Sequence, residues 1–271
     1  MPPEKIRPFL KWAGGKYQII DRIRQSLPKG TRLIEPFVGA GSVFLNTQYE
    51  NYLLADINID LINSFHYLQK EKQPFINYCR SFFQEHYNLK AAYLELRMEF
   101  NTTQDTRLKA ALFIYLNRHC FNGLMRYNQD GLFNTSFGEY RKPYFPEHEM
   151  LAFVTKTQSA QIMCSDYTKT MERAEIGDVI YCDPPYVPLS VTASFTKYHS
   201  TGFGRADQEH LVFMARACAK KGIPVIVSNH DTDFVQNLYL GAHIIRFDVQ
   251  RSISCNGKRR NRAPELLALF D

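Results

Sequence analysis

The 271-residue chain has no Cys-x-x-Cys pair; Cys79, Cys120, Cys164, Cys182, Cys218 and Cys255 are scattered along it. That spacing argues against a disulfide framework or a zinc site and fits a reducing cytosol. The opening MPPEKIRPFLKW has no long apolar run, so it does not read as a signal peptide. No stretch approaches the roughly 20 apolar residues of a membrane span. The Asn-x-Ser/Thr matches at Asn101 and Asn134 therefore read as idle. Two nucleotide-binding patterns are incomplete. A G-x-G-x-x-G series is broken by Phe44, which weakens a dinucleotide reading. In Lys11-Trp12-Ala13-Gly14-Gly15-Lys16, Leu10 stands where a phosphate loop needs its first glycine, and Tyr17 where it needs Ser or Thr, which weakens ATP use.

The composition is that of an ordinary globular chain, 45% hydrophobic and 22% charged. A chain of this length can bury a sizeable core without staples. The net charge of +6 mildly favours an anionic partner. One basic cluster comprises Arg246, Arg251, Lys258, Arg259, Arg260 and Arg262, against Asp248 alone; another surrounds Arg118, Arg126, Arg141 and Lys142. Both could be solvated loops. The interleaved Phe121, Tyr127, Tyr140 and Tyr144 favour nucleic acid.

The periodicity predicts strands at Thr31 to Ile34, Tyr52 to Ala55, Asp178 to Tyr181 and Ile223 to Ser228. Helical character follows the first at SVFLNTQY and the second around Leu61 to Gln69. Such alternation implies a mostly parallel sheet with helices on both faces. Residues 74 to 118 are rich in helix formers, with Leu108, Ala111, Leu112 and Tyr115 at helical spacing; residues 119 to 146 turn Gly-, Asn- and Tyr-rich. This predicts a catalytic domain over 1–56 and 157–271, interrupted at 57–156 by a mainly helical subdomain that carries a polar, aromatic loop.

Three features carry chemistry. The turn EPFVGAGS, 35–42, lies between a strand and a helix, and its glycines let a ligand approach the backbone. Asp56, at the end of the next strand, suits ribose hydroxyls at the carboxyl edge of a doubly wound sheet. Taken alone, the glycine turn is shared with dehydrogenases and with purely structural turns. Trp12, the one tryptophan, could be core, but among lysines and glycines it is better placed to line a cleft. In YCDPPY, 181–186, Asp183 and the Pro184 carbonyl form two acceptors whose direction the prolines fix, and Tyr186 offers a flat face. A ring-borne NH2 could give one hydrogen to each acceptor, which leaves its lone pair nucleophilic. A rigid loop with an exposed acid is the bland alternative. Tyr181 reads as core, and Cys182 is assigned no chemistry.

The series KWAGGK, EPFVGAGSVFLN, ADIN, LNRxxxNGLxRYN, KPYFP, YCDPPY, SNHDT and RSISxNG, running from about Phe9 to Leu269, resembles the Dam family of adenine-N6 DNA methyltransferases, the D12 class with a DPPY motif. The resemblance implies a Rossmann-like S-adenosylmethionine-dependent fold. It implies methyl transfer to adenine N6 in double-stranded DNA, within GATC, by base flipping and direct transfer. Trp12, Lys16, Phe37, Gly39, Gly41, Asp56, Asp166, Tyr167 and Asp183 match positions around the cofactor. Asp183, Pro184, Pro185 and Tyr186 match the catalytic tip. Lys11, Leu124 and Arg126 match base readers, and Phe121 matches an aromatic that fills the gap left by the flipped base. Arg118, Asn122, Tyr140, Arg141, Lys142, Arg251 and Ser252 complete the expected DNA face. The best-known enterobacterial members have Tyr, Gly and Arg where this chain has Phe121, Cys120 and Glu139; a carboxylate at 139 would repel a phosphate.

The expectations are therefore a cytoplasmic, nucleoid-associated monomer that needs no metal. A different adenine target sequence, an RNA or protein-glutamine methyltransferase, and a non-catalytic DNA-binding regulator are the rival readings. The intact DPPY and glycine turn disfavour the regulator, and the loop motifs disfavour RNA or protein substrates. A nucleobase deaminase lacks its H-x-E and P-C-x-x-C signature here. Mismatch-repair marking at DNA replication, gene regulation, a restriction partner and a phage-borne copy all fit the sequence equally.

Overall fold

The computed structural model describes residues 5–186, 203–250 and 262–271. Seven strands form one sheet: β1 (Arg32–Glu35), β2 (Asn51–Asp56), β3 (Ala160–Cys164), β4 (Asp178–Cys182), β5 (Val225–His230), β6 (His243–Gln250) and β7 (Arg262–Phe270). Their order is β3-β2-β1-β4-β5-β7-β6. The first five are parallel, and β7 runs antiparallel to both β5 and β6.

Side chains alternate between two apolar faces, as the period of a doubly covered strand requires. Leu33, Tyr52, Leu54, Val179, Tyr181 and Ile226 enter one cluster; Ile34, Leu53, Ile180, Cys182, Val225 and Val227 enter the other. Helices α1 (Ile20–Ser26), α2 (Ser42–Asn46), α3 (Ile59–Glu71), α4 (Gln73–Ser81), α5 (Lys90–Thr102), α6 (Thr106–His119) and α7 (Glu147–Lys156) pack on the first face. The second is covered by α8 (Tyr167–Met171), α9 (Arg205–Ala219) and α10 (Asp233–Leu238).

In α6 every residue from Ala110 to His119 is buried. Asp105 starts this helix by accepting from the Arg107 and Leu108 amides at 2.9 and 3.1 Å. A helix covered on all sides forms the centre of its layer, so the stripe legible in the sequence understates its burial. Its cluster is continuous with the sheet face. After α6 the chain folds back on itself. Phe121 N donates to Ser136 O at 2.9 Å, Asn134 N to Arg126 O at 3.1 Å, and Asn128 N to Leu132 O at 2.9 Å.

The basic segment from Arg246 is not all loop: Arg246 lies in β6 and pairs with Asp231, Nε to Oδ2 at 3.2 Å. The sequence offers no expectation of β3, β6 or β7. The proline of β7, Pro264, lies just past the His230–Glu265 pair, where β5 has ended. There its missing N–H leaves no gap in that ladder.

Candidate active site

Strand β1 leads to β2 on one side of the sheet, while β4 lies on its other side. The carboxyl ends of β1 and β4 thus flank the point where strand order reverses, the place where open α/β sheets form a crevice. The glycine turn and the DPPY tip both emerge there.

Gly39 and Gly41 take left-handed φ values of 48° and 75°. The Gly39 amide donates to Asp56 Oδ2 at 3.1 Å, and Asp56 Oδ1 accepts from Asn58 N at 3.0 Å. A Cβ on Gly39 would lie 2.9 Å from Trp12 Nε1. The turn therefore brings half-buried Trp12 against its own backbone, beside the acid of β2. Phe37 stacks on Tyr167 at 5.5 Å, and Phe203 meets both rings edge-on. The Tyr167 hydroxyl is 2.8 Å from His210 Nδ1. Asp166 caps α8, accepting from Lys169 N at 3.1 Å.

Glu35 ends β1 and is buried; among the described residues its Oε1 has no hydrogen-bond partner. Burial, reinforced by the Asp183 carboxylate, pushes its pKa up to about 8. Burial likewise pushes Lys156 down to about 8, although Glu35 opposes this.

At the tip, Asp183 Oδ1 accepts from Ser228 Oγ at 2.9 Å and pairs with Lys16 Nζ at 2.9 Å. Lys16 also donates to Gly14 O at 2.6 Å, and its Nζ sits 4.5 Å over the Tyr186 ring. Burial is the largest influence and works against this ammonium, yet Asp183, Tyr181 and Glu265 together outweigh it and hold the pKa above the ordinary lysine value. The Tyr181 hydroxyl donates to Ser228 Oγ at 3.3 Å, so this core residue also supports Asp183. Pro185 O accepts from Gln208 Nε2 at 2.8 Å, and Gln208 is held in turn by Asn229 at 3.0 Å. Cys182 is fully buried, which raises its thiol pKa. A nitrogen cation thus bonds one carboxylate while resting over one aromatic face. The same place would accept any N–H donor attached to a stackable ring.

The loop residues form a second group. Lys11 Nζ rests 4.1 Å over the Tyr140 ring, whose hydroxyl accepts from Asn122 N at 3.0 Å. Asn117 fixes the Lys11 backbone in both directions at 2.8 Å. Arg126 Nε donates to Asn134 Oδ1 at 2.8 Å. Leu124 is half-buried, while Phe121, Arg141 and Lys142 are exposed. Arg118 differs from the expected exposed contact: it is buried and donates to Tyr144 O at 3.0 Å, which holds the loop from behind. Arg251 and Ser252, with Lys258, Arg259 and Arg260, lie outside the described residues. No motif in the sequence gives a role to Gln208, Phe203, His210 or Glu265, and SNHDT alone points towards Ser228.

The family model for the D12 class of N6 adenine-specific DNA methyltransferases matches residues 12–253. A DNA adenine methylase of Vibrio cholerae is 50% identical over 268 residues, 98% of this chain and 97% of its own length. One from Serratia marcescens is 49% identical, covering 98% and 99%. One from Escherichia coli is 48% identical, covering 98% and 96%. A solved precorrin 8W decarboxylase from Methanobacterium thermoautotrophicum aligns over 94% of this chain and 89% of its own with 10% identity, at a TM-score of 0.37 too remote to bear on function. With a family match over most of its length and near-full-length relatives at about half identity, the chain belongs to the D12 class of N6 adenine-specific DNA methyltransferases.

Proposed function

We propose that the protein methylates adenine N6 within GATC in duplex DNA, using S-adenosylmethionine on a base flipped out of the helix. The observation that carries this reading is Lys16 Nζ, 2.9 Å from Asp183 and 4.5 Å over Tyr186. It occupies the place that the reading gives to the target amine, between an acceptor and a stacking face.

The residues present fit the cofactor. Asp56 suits ribose hydroxyls, Glu35 Oε1, without a hydrogen-bond partner among the described residues, suits an ammonium donor, and the glycine turn lets Trp12 pack directly on its backbone. Lys16, Phe37, Gly41, Asp166 and Tyr167 would complete the cleft. When bound, S-adenosylmethionine supplies an electrophilic methyl group.

The chain's part in the reaction is positioning. The flipped adenine, extracted at a cost of a few kcal/mol, displaces Lys16 from Asp183 and stacks on Tyr186. Asp183 and the Pro184 carbonyl accept its two N6 hydrogens, which keeps the lone pair on N6. The positive charge that develops on N6 then lies beside the Asp183 carboxylate, and the N6 proton is lost after transfer.

Lys11, Leu124 and Arg126 read base edges, an arginine–guanine pair giving about 1–3 kcal/mol of discrimination. Phe121 fills the gap left by the base. Tyr140, Arg141 and Lys142, with Asn122 beside them, face the backbone.

The test uses labelled cofactor on GATC duplexes and on duplexes altered at one position. Asp183→Ala should reduce methylation by at least about a hundredfold, and wild-type protein should protect GATC sites alone against methylation-sensitive digestion. Near-normal methylation by Asp183→Ala would sink the assignment of the tip; methylation of altered duplexes at equal rates would sink the target.

A further inference from the structure

We propose that Glu265 is a positioning residue for the target base: it holds the Tyr186 hydroxyl and so fixes the plane on which the adenine stacks. The inference rests on the reading of Tyr186 as that stacking face.

Among the described residues three contacts frame the ring, with the Ser228 side chain also close to its hydroxyl. The Tyr186 hydroxyl donates to Glu265 Oε2 at 3.2 Å. His230 meets the ring at 4.7 Å and 71°, an edge contact. Lys16 Nζ occupies a face at 4.5 Å. His230 and Glu265 are paired across β5 and β7, so two of the three come from one rung of the sheet. That rung lies outside the DPPY segment. Aromatic side chains turn readily about their terminal torsion unless neighbours fix them. A hydroxyl tied to one strand and an edge pressed by the next remove that freedom.

Strand β7 is built to present this acid. Ala263, Leu266, Leu267 and Ala268 are buried, and Glu265 is its one carboxylate. Burial, with Asp183 and Glu265 adding to it, pushes the Tyr186 phenol well above its ordinary pKa, so it remains a donor. Hydrogen bonds to a charged acceptor are stronger than neutral ones, and small displacements of a stacking face are costly when reacting atoms must align.

The experiment compares full-length wild type, Glu265→Gln, Tyr186→Phe and the double variant. It measures single-turnover methylation of a GATC duplex, fluorescence of 2-aminopurine placed at the target position, and S-adenosylmethionine affinity from the emission of Trp12, the one tryptophan. Each single variant should slow methylation about tenfold and change the 2-aminopurine signal, with cofactor affinity unchanged. The double variant should be no slower than the slower single. Tyr186→Phe removes the same bond without touching β7, so a folding defect of Glu265→Gln cannot imitate this pattern. Wild-type rates in either single variant, losses that multiply in the double, or a parallel fall in cofactor affinity would overturn the proposal. Methylation that survives Asp183→Ala would instead overturn the reading of the pocket itself.

Discussion

The Tyr127 hydroxyl donates to Asp60 Oδ2 at 2.8 Å and ties the loop that follows α6 to the first turn of α3. That turn begins just after Asp56, and Asn58 caps it through the Asp60 and Leu61 amides, both at 3.1 Å. Asp60 is buried, with Lys109 Nζ 3.5 Å from its other oxygen. The acid proposed for the ribose and the arginine proposed for guanine therefore stand on one hydrogen-bonded frame.

Tyr127→Phe should leave Asp60 short of one donor and destabilise the fold by about 1–3 kcal/mol, seen as a lower urea midpoint. Because Arg126 is the neighbouring residue, the ratio of kcat/KM between GATC and single-mismatch duplexes should also fall. An unchanged ratio would show that Asn134 alone aligns Arg126.

The sequence signals that proved legible were local. Strands at 32–35, 51–56, 178–182 and 225–230 fall where apolar runs end in turn residues or acids. β6 stayed hidden because HIIRFDVQ places Arg246 and Asp248 inside a strand, and both read as loop charges. β7 stayed hidden because Pro264 and Glu265 interrupt its apolar run. Asp183, Lys16 and Tyr186 were legible as motif residues. Their closure into one cluster was not, since Ser228, Glu265 and Gln208 reach them only through the sheet order and the packing of α9. Arg118 shows the converse: a basic residue in a basic segment whose helix turns it inward.

Gly39→Ala should weaken cofactor binding. Its φ of 48° is unfavourable for alanine, and the new methyl would meet Trp12 Nε1 at 2.9 Å. The combined strain of about 1–3 kcal/mol corresponds to an affinity loss of roughly tenfold or more. Fluorescence titration through Trp12 would read both the loss and a shifted emission before any cofactor is added. Unaltered affinity would place the cofactor elsewhere.

Glu35 should make the cofactor-free protein less stable as pH rises. Its folded pKa is raised from 4.5 to about 8, so the folded state keeps a proton that the unfolded chain has lost. Its contribution is fully present below about pH 4.5 and is lost as pH climbs towards about 8, at up to about 1.4 kcal/mol per pH unit. Lys156 acts oppositely, from about 8 to 10.5, where the unfolded chain holds the extra proton. Glu35→Gln should therefore gain stability over wild type progressively between pH 5 and pH 8. Urea unfolding at both values checks this; equal pH slopes for the two proteins would contradict it.

Glu139 should limit the grip on DNA. It is exposed, adopts a left-handed φ of 52°, and stands immediately before Tyr140, Arg141 and Lys142. A carboxylate there opposes phosphate while its neighbours attract it. Each phosphate neutralised contributes about −0.9 to the slope of log K against log salt on B-form DNA. Glu139→Arg should tighten binding and steepen that slope by about 0.9 if it gains one contact. Glu139→Gln should tighten binding with a smaller change in slope, because it removes repulsion without adding a cation. Binding isotherms across a salt series, on GATC and unrelated duplexes, separate the two terms. The gain should be similar on both duplexes, since a phosphate contact carries no base information. A gain confined to GATC would place residue 139 at a base edge instead.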